Sequence, residues 1–288
     1  TQGSAASPDR AALARLGACT IAFLGRLDNL QELQAALALR APECVKAAPA
    51  LTVLHAFRQW REGCAARLVG DFAFIVCDPA ARRVFCARDA MGVKPLFYYA
   101  GAARFVAATE IGQVLASGVP LAPCEAMVAE LLSFDIRSRT ETLYQGVHRL
   151  PAGHWMTVDE HDLRVVRYWA PDSSRELVYA RDEEYAEHLL DVLGRAVGDR
   201  APAGEAVAAY LSGGLDSSSV VCMAHALGRP LETLSMLFPA VPEANERSYI
   251  DAVAARVARP GYRLEVAPID PERYRRSSAA RADIPDLP

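Results

Sequence analysis

The apolar positions change rhythm along the chain. Cys19–Leu24 is a β-favouring run closed by Gly25, and Asp28-Asn29 supplies caps for a helix running to about Arg40. Apolar residues recur at helical spacing from Leu51 to Arg61. Leu68–Cys77 and Arg83–Arg88 then flank the turn-forming Asp78-Pro79-Ala-Ala-Arg82 and predict a β-hairpin. Short strands at Pro95–Ala100 and Arg104–Ala108, helices at Glu110–Ser117 and Cys124–Ser133, and strands at Gly153–Val158 and Leu163–Trp169 complete this half, which reads as antiparallel β with helices.

The polar, turn-rich Ala170-Pro-Asp-Ser-Ser-Arg175 marks a change of character, and the boundary is placed there: residues 1–170 form one domain and 171–288 another. From Asp182 the order is helix to Asp199, strand Ala206–Leu211, helix Ser217–Leu227, strand Leu231–Phe238, helix Glu246–Val257 and strand Tyr262–Val266. Strands alternating with helices imply a parallel sheet with crossover helices.

Composition adds exclusions. Lys+Arg 31 against Asp+Glu 35 gives a net charge of −4, too near neutral for the footprint of a nucleic-acid or anionic-membrane binder. No apolar run approaches the roughly 18–20 residues of a bilayer span. The seven cysteines, Cys19, Cys44, Cys64, Cys77, Cys86, Cys124 and Cys222, are odd in number and lack metal spacing. Reduced thiols in a cytoplasm are the simplest account, and the six histidines show no ligand pattern either. The start at Thr1 and the polar close at 281–288 read as a piece cut at both ends.

The segment that carries chemistry is Tyr210-Leu-Ser-Gly-Gly-Leu-Asp-Ser-Ser-Ser219, between an apolar strand and a helix. Adjacent glycines allow positive φ and close backbone approach, so amides of the loop and first helical turn can converge on an anion. Ser212, Ser217 and Ser218 add hydroxyls, and Asp216 could hold a divalent cation on phosphate oxygens. The bland alternative is a strand-to-helix turn in which Gly213-Gly214 makes the bend and Asp216 or Ser217 caps the helix. Neither a Walker ending nor GxGxxG is present.

Ser212-Gly-Gly-Leu-Asp-Ser217 after an apolar strand resembles the pyrophosphate loop of the ATP pyrophosphatases. In the first half, Leu68-Val-Gly-Asp-Phe-Ala-Phe74, Ala87-Arg-Asp-Ala-Met-Gly-Val-Lys-Pro-Leu-Phe-Tyr-Tyr99 and Thr109-Glu110 resemble the glutamine-amidotransferase domain of asparagine-synthetase-type proteins. The resemblance implies an Ntn-hydrolase-like antiparallel αββα sandwich followed by a Rossmann-like α/β/α ATP-pyrophosphatase domain, incomplete at its end. It implies ATP and Mg²⁺ as cofactors, cleavage of ATP between its α and β phosphates, and amide formation on the activated carboxylate. By the same resemblance Leu211, Ser212, Gly213, Gly214, Asp216, Ser217, Ser218 and Met236 bind nucleotide, Asp216 and Ser217 are catalytic, and Asp216 holds the metal. For Met236 a core place beneath the sheet is the alternative. Glu246 is expected to start its helix as an N-terminal acid, with a substrate role as the alternative; Asp251 lies on that helix, and Asp283 resembles an acidic loop near the family's active site, a solvated tail being the alternative.

Departures bear on ammonia supply. The family's oxyanion Asn is replaced by Leu24, and Lys46-Ala-Ala-Pro49 stands where its acidic anchor would be. Thr1 opens a polar run unsuited to a nucleophile, so no glutaminase nucleophile is assigned, and Arg88-Asp89 reads as structural. A synthetase half beside a decayed glutaminase half resembles lasso peptide cyclases and β-lactam synthetases, in which an amine of the substrate replaces ammonia. The alternatives are a glutamine-hydrolysing asparagine synthetase and a non-catalytic nucleotide- or peptide-binding relative. The partners implied are a small-molecule or peptide carboxylate, with a homodimer or precursor peptide as further candidates, and neither nucleic acid nor membrane. The family's later Ser-Gly-Glu-Gly-type loop has no counterpart before Pro288, so the chain alone is expected to bind ATP weakly without turnover.

Overall fold

The computed structural model describes residues 11–38, 41–201, 204, 206–258, 261–266 and 272. They fall into two compact units, one ending at Asp172 and the next beginning at Ser173.

The first unit runs β1 (Ala12–Leu16), β2 (Cys19–Leu27), α1 (Leu30–Ala38), α2 (Pro49–Trp60), β3 (Gly70–Asp78), β4 (Arg83–Arg88), β5 (Phe97–Gly101), β6 (Arg104–Ala108), α3 (Ile111–Ala116), α4 (Glu125–Ser133), β7 (Val147–Arg149), β8 (His154–Val158) and β9 (Leu163–Arg167). Short 3-10 turns occupy Pro42–Lys46 and Arg61–Arg67. Strands β1-β2-β3-β4-β8-β9 form one antiparallel sheet, and β6-β5-β7 a second.

The two-residue period of each strand assigns its faces. Ile21, Phe23, Phe72, Phe74, Val76 and Phe85 point to one side of the large sheet and pack on Leu33 and Leu37 of α1 and on Val53, Leu54 and Phe57 of α2. Phe57 stacks on Phe85 with ring centres 5.1 Å apart. The intervening residues, Ala73, Cys86 and Met156, point the other way and meet Tyr98, Phe105 and Ala107 of the small sheet. Phe97, Val106 and Val147 on that sheet's far side then cover Ile111 and Val114 of α3. The layers are therefore helix, sheet, sheet, helix, the αββα order expected.

The turn after β4 is held by buried charge. Arg88 donates to the carbonyls of Gly92, Lys94 and Leu150, and the fully buried Asp89 carboxylate accepts from the amides of Met91, Val93 and Lys94. Tyr168 Oη donates to the Arg88 carbonyl at 2.7 Å. The pair is structural, as its position in a turn suggests.

Three details differ from the sequence reading. The β2 strand continues through Gly25 to Leu27, and the short strands β1 and β7 were not expected. Asn29 does not spend its side chain on α1: its Oδ1 accepts from Val69 N and its Nδ2 donates to Arg67 O, tying the helix start to the β3 entry. A partner 40 residues away is invisible to a capping rule.

The second unit runs α5 (Asp182–Arg200), β10 (Val207–Tyr210), α6 (Leu215–Ala226), β11 (Leu231–Leu237), a 3-10 turn Pro242–Ala244, α7 (Arg247–Arg256) and β12 (Tyr262–Glu265). The sheet β10-β11-β12 is parallel, with Tyr210, Leu234 and Tyr262 level in the register. Among the described residues its core lies on one side of the sheet: Leu211, Leu231 and Leu237 meet Val221 and Ala224 of α6, Ile250 of α7, Val257 just after it and Val197 of α5. Tyr210, Met236 and Leu264 are exposed.

Candidate functional site

The loop at the carboxyl end of β10 brings the expected serines together. Ser212 Oγ and Ser217 Oγ lie 3.0 Å apart, Ser212 N donates to Ser217 Oγ, and Ser217 Oγ donates to the Gly214 carbonyl. Gly214 N donates to Ser212 Oγ at 3.3 Å, which folds the loop into a closed turn ahead of α6. Gly214 is extended (φ −69°, ψ 162°) and is the last residue before the helix. The N–H groups of the next residues have no intrahelical acceptor, because a helix leaves its first donors unpaired. They form a positive end suited to an anion.

The first of the two glycines, Gly213, is required physically. Its φ is +93°, and a Cβ there would stand 2.9 Å from Tyr249 Cβ and 3.3 Å from Glu246 Cβ. No larger residue fits between the loop and the start of α7. Tyr249, exposed beside the loop, was not singled out in the sequence; nothing in a lone aromatic on a short helix announces it. The Asn245 side-chain carbonyl next to Glu246 is buried without a hydrogen-bond partner.

The other expected residues separate. Asp216 is exposed in the first turn of α6. The Ser218 hydroxyl is buried without a partner. Leu211 is 1% exposed, its side chain committed to the helix-side core and its amide donating to the Leu234 carbonyl. Met236 is 48% exposed and does not belong to that core, so the two side chains leave the sheet on opposite faces. Glu246 immediately precedes α7, as expected of an acid at a helix start, and makes no side-chain cap. Asp251 pairs with Arg263 at 2.5 Å, a role within the unit. Asp283 lies outside the described residues. Among the described residues no cluster of three or more His, Cys, Asp or Glu could hold a metal alone.

In the first unit, Leu24, the position compared above with the family's oxyanion Asn, lies on β2 and is followed by Gly25 at φ +126°. A Cβ on Gly25 would fall 1.9 Å from the Asp71 carbonyl oxygen, so the strand pair closes only around glycine. Pro49 begins α2, where its missing N–H costs nothing.

Residues 9–169 match the family described as a glutamine amidotransferase domain, and residues 188–282 match the one described as asparagine synthase. The first match alone covers more than half of the chain. The chain belongs to the asparagine synthetase family. Asparagine synthetase [glutamine-hydrolyzing] 3 of Bacillus subtilis is 29% identical over 207 residues, spanning 71% of this chain and 33% of that protein. Amidase chyE of Penicillium rubens is 35% identical over 159 residues, 54% of this chain and 23% of the relative. This asparagine synthetase family member therefore spans about a third or less of the length of these curated relatives. Among solved structures, a glutamine phosphoribosylpyrophosphate amidotransferase from B. subtilis aligns over 77% of the chain and 47% of its own, at 16% identity and TM-score 0.34. That likeness is too slight to argue from.

Proposed function

We propose that the protein is an ATP-dependent carbon–nitrogen ligase of the asparagine synthetase type. It joins a carboxylate to the AMP portion of ATP with release of pyrophosphate, and passes the acyl group to an amine with release of AMP. The observation that carries this is the loop 212–218, where two serine hydroxyls and the open end of α6 face the carboxyl edge of a parallel sheet, the edge at which such folds take ligands. ATP supplies the leaving group. The chain's own residues bind and orient: the Gly214–Ser217 segment holds the pyrophosphate portion, and Gly213 lets the loop that carries it pack against the start of α7. The catalysis is positioning and charge stabilisation.

The donor set fits Mg²⁺ only in company. The loop's exposed carboxylate, Asp216, with serine hydroxyls nearby and the exposed Glu246 at the start of α7, matches an ion that takes one or two carboxylates and completes its sphere with phosphates and water. Bound there, it would neutralise the departing pyrophosphate.

We further propose that the amine is a group of the substrate, as in lasso peptide cyclases, rather than ammonia from glutamine. Leu24 offers no hydrogen bond to an oxyanion and Pro49 no charge to an ammonium. The second reading, a glutamine-hydrolysing asparagine synthetase, is favoured by the amidotransferase family match and by the retained Gly25 geometry.

ATP–pyrophosphate exchange by the protein expressed from its complete reading frame tests the ligase reading. Exchange dependent on a carboxylate is expected, falling about 100-fold or more in Asp216→Ala, the loss typical of removing one preorganised charge-stabilising group, and falling also in Gly213→Ala, whose added methyl displaces the loop from Tyr249 and Glu246. Absence of exchange, or full exchange in both variants, would sink it. Glutamate release from glutamine separates the two readings of the amine source.

A further inference from the structure

A cavity of about 280 Å³ lies in the first unit, at the opposite end of β2 from Leu24 and Gly25. Its walls are the β1–β2 turn with Cys19, the last turns of α2 with Leu54, Phe57 and Arg58, then Arg61, and Asp78 at the end of β3. At about 3.3 Å per residue, Cys19 stands roughly 15–20 Å from the Leu24–Gly25 pair. The cavity is a separate place.

Its chemistry is ordered by depth. Leu54 and Phe57 give an apolar floor, both being buried in the core. The Asp78 carboxylate lies inside, its side chain 11% exposed, accepting from the Ala81 amide at 3.2 Å. Arg61 stands at the rim, its side chain 61% exposed and its Nη1 3.6 Å from Asp78 Oδ2, with the guanidinium 5.7 Å from the Phe57 ring centre. Arg58 is a second exposed cation on the wall. The Cys19 thiol is pushed above its ordinary pKa, first by burial, then by the Asp78 charge and its hydrogen bond to that carboxylate, while Arg61 and Arg58 act in the opposite sense. All three charges thus converge on one thiol.

Backbone strain singles out the same residue. Arg61 holds φ 51° and ψ −134°, a combination natural only to glycine, where it ends α2 by donating its amide to the Phe57 carbonyl. A glycine would perform that termination without strain. What arginine adds is the guanidinium at the cavity rim. Strained non-glycine residues persist where the surroundings over-determine them, and they cluster at binding and catalytic sites.

We propose that this cavity binds a free α-amino acid with a small apolar side chain, its ammonium on Asp78, its carboxylate between Arg58 and Arg61, and its side chain against Leu54 and Phe57. A plain carboxylate would satisfy the rim and leave its apolar body against a buried carboxylate. A plain amine would reach Asp78 and leave two guanidiniums facing the mouth. The volume, just under the roughly 300–1,000 Å³ of drug-sized sites, suits a small metabolite. The site does not depend on ligase chemistry in the second unit.

Isothermal titration of the 288-residue chain with L-valine, isovalerate and isobutylamine tests it, since the latter two are valine without its ammonium and without its carboxylate. Valine is expected to bind about tenfold or more tightly than either, the worth of one charge-assisted contact. Arg61→Gly is expected to keep or raise the thermal midpoint, because strain is relieved, while weakening valine about tenfold; Arg58→Ala, on an exposed side chain, should weaken it without unfolding. Valine should also slow alkylation of Cys19 relative to the exposed Cys77. No binding at millimolar valine, equal affinity for isovalerate, or full affinity in Arg61→Gly would each overturn the proposal.

Discussion

Gly25 shows how far one residue constrains the first unit. A methyl group there would collide with the Asp71 carbonyl at 1.9 Å, and its φ of +126° is closed to side-chain-bearing residues. Gly25→Ala is therefore expected to destabilise the unit by about 3 kcal/mol or more, read as a lower urea midpoint at unchanged slope. The buried thiols make a second residue-level expectation. Burial pushes the Cys64 and Cys86 thiols well above the ordinary range near 8.5, so both stay neutral in the folded state while the unfolded chain ionises. Their contribution is complete below the unfolded value and is lost as pH rises toward the folded one. Stability should fall above about pH 8.5, by up to about 1.4 kcal/mol per pH unit per thiol, and Cys86→Ala should flatten that slope in alkaline urea titrations. At this scale the sequence was legible where a residue type is forced by backbone geometry, as at Gly213. It was silent where a side chain serves a distant partner, as Asn29 does at Val69.

At the scale of elements, alternation proved the most readable signal, because the central strands β3 and β4 of the large sheet send alternate residues into different cores. Phe85 and its neighbour Cys86 belong to separate cores, one under α2 and one against the small sheet. Phe85→Ala should cost about 3–5 kcal/mol and Leu96→Ala, in the inter-sheet core, about 2–5 kcal/mol. The double variant should sum to within about 0.5 kcal/mol, since the two residues share no cluster. A large coupling energy in denaturant titrations would contradict the four-layer description. The strand β1, Ala-Leu-Ala-Arg-Leu, was illegible for a physical reason: these are helix formers, held extended by pairing with β2. The strand β7 is three residues long, too short for any period to register.

For the whole molecule, the candidate site was readable as a loop but not as a surface. The motif located Ser212–Ser218; that Leu211 faces the core, while Met236 is left half exposed, is decided by the parallel register of β10 and β11 and the packing of α6 and α7. The Arg88 knot shows the same dependence on topology in time rather than space. Residues 97–149, which build the small sheet and α3, lie between β4 and its sheet neighbour β8, and Arg88 closes that excursion by reaching the Leu150 carbonyl 62 positions away. The hairpins β1–β2 and β3–β4 need only local closure, whereas β8 and β9 can dock only after a long loop has been ordered, and such non-local pairings come slowly. Arg88→Leu should therefore accelerate unfolding with little change in the folding rate, a chevron signature of a late contact. The large sheet is in this sense assembled in two instalments, and a ribosome-bound chain ending before residue 150 holds only four of its six strands.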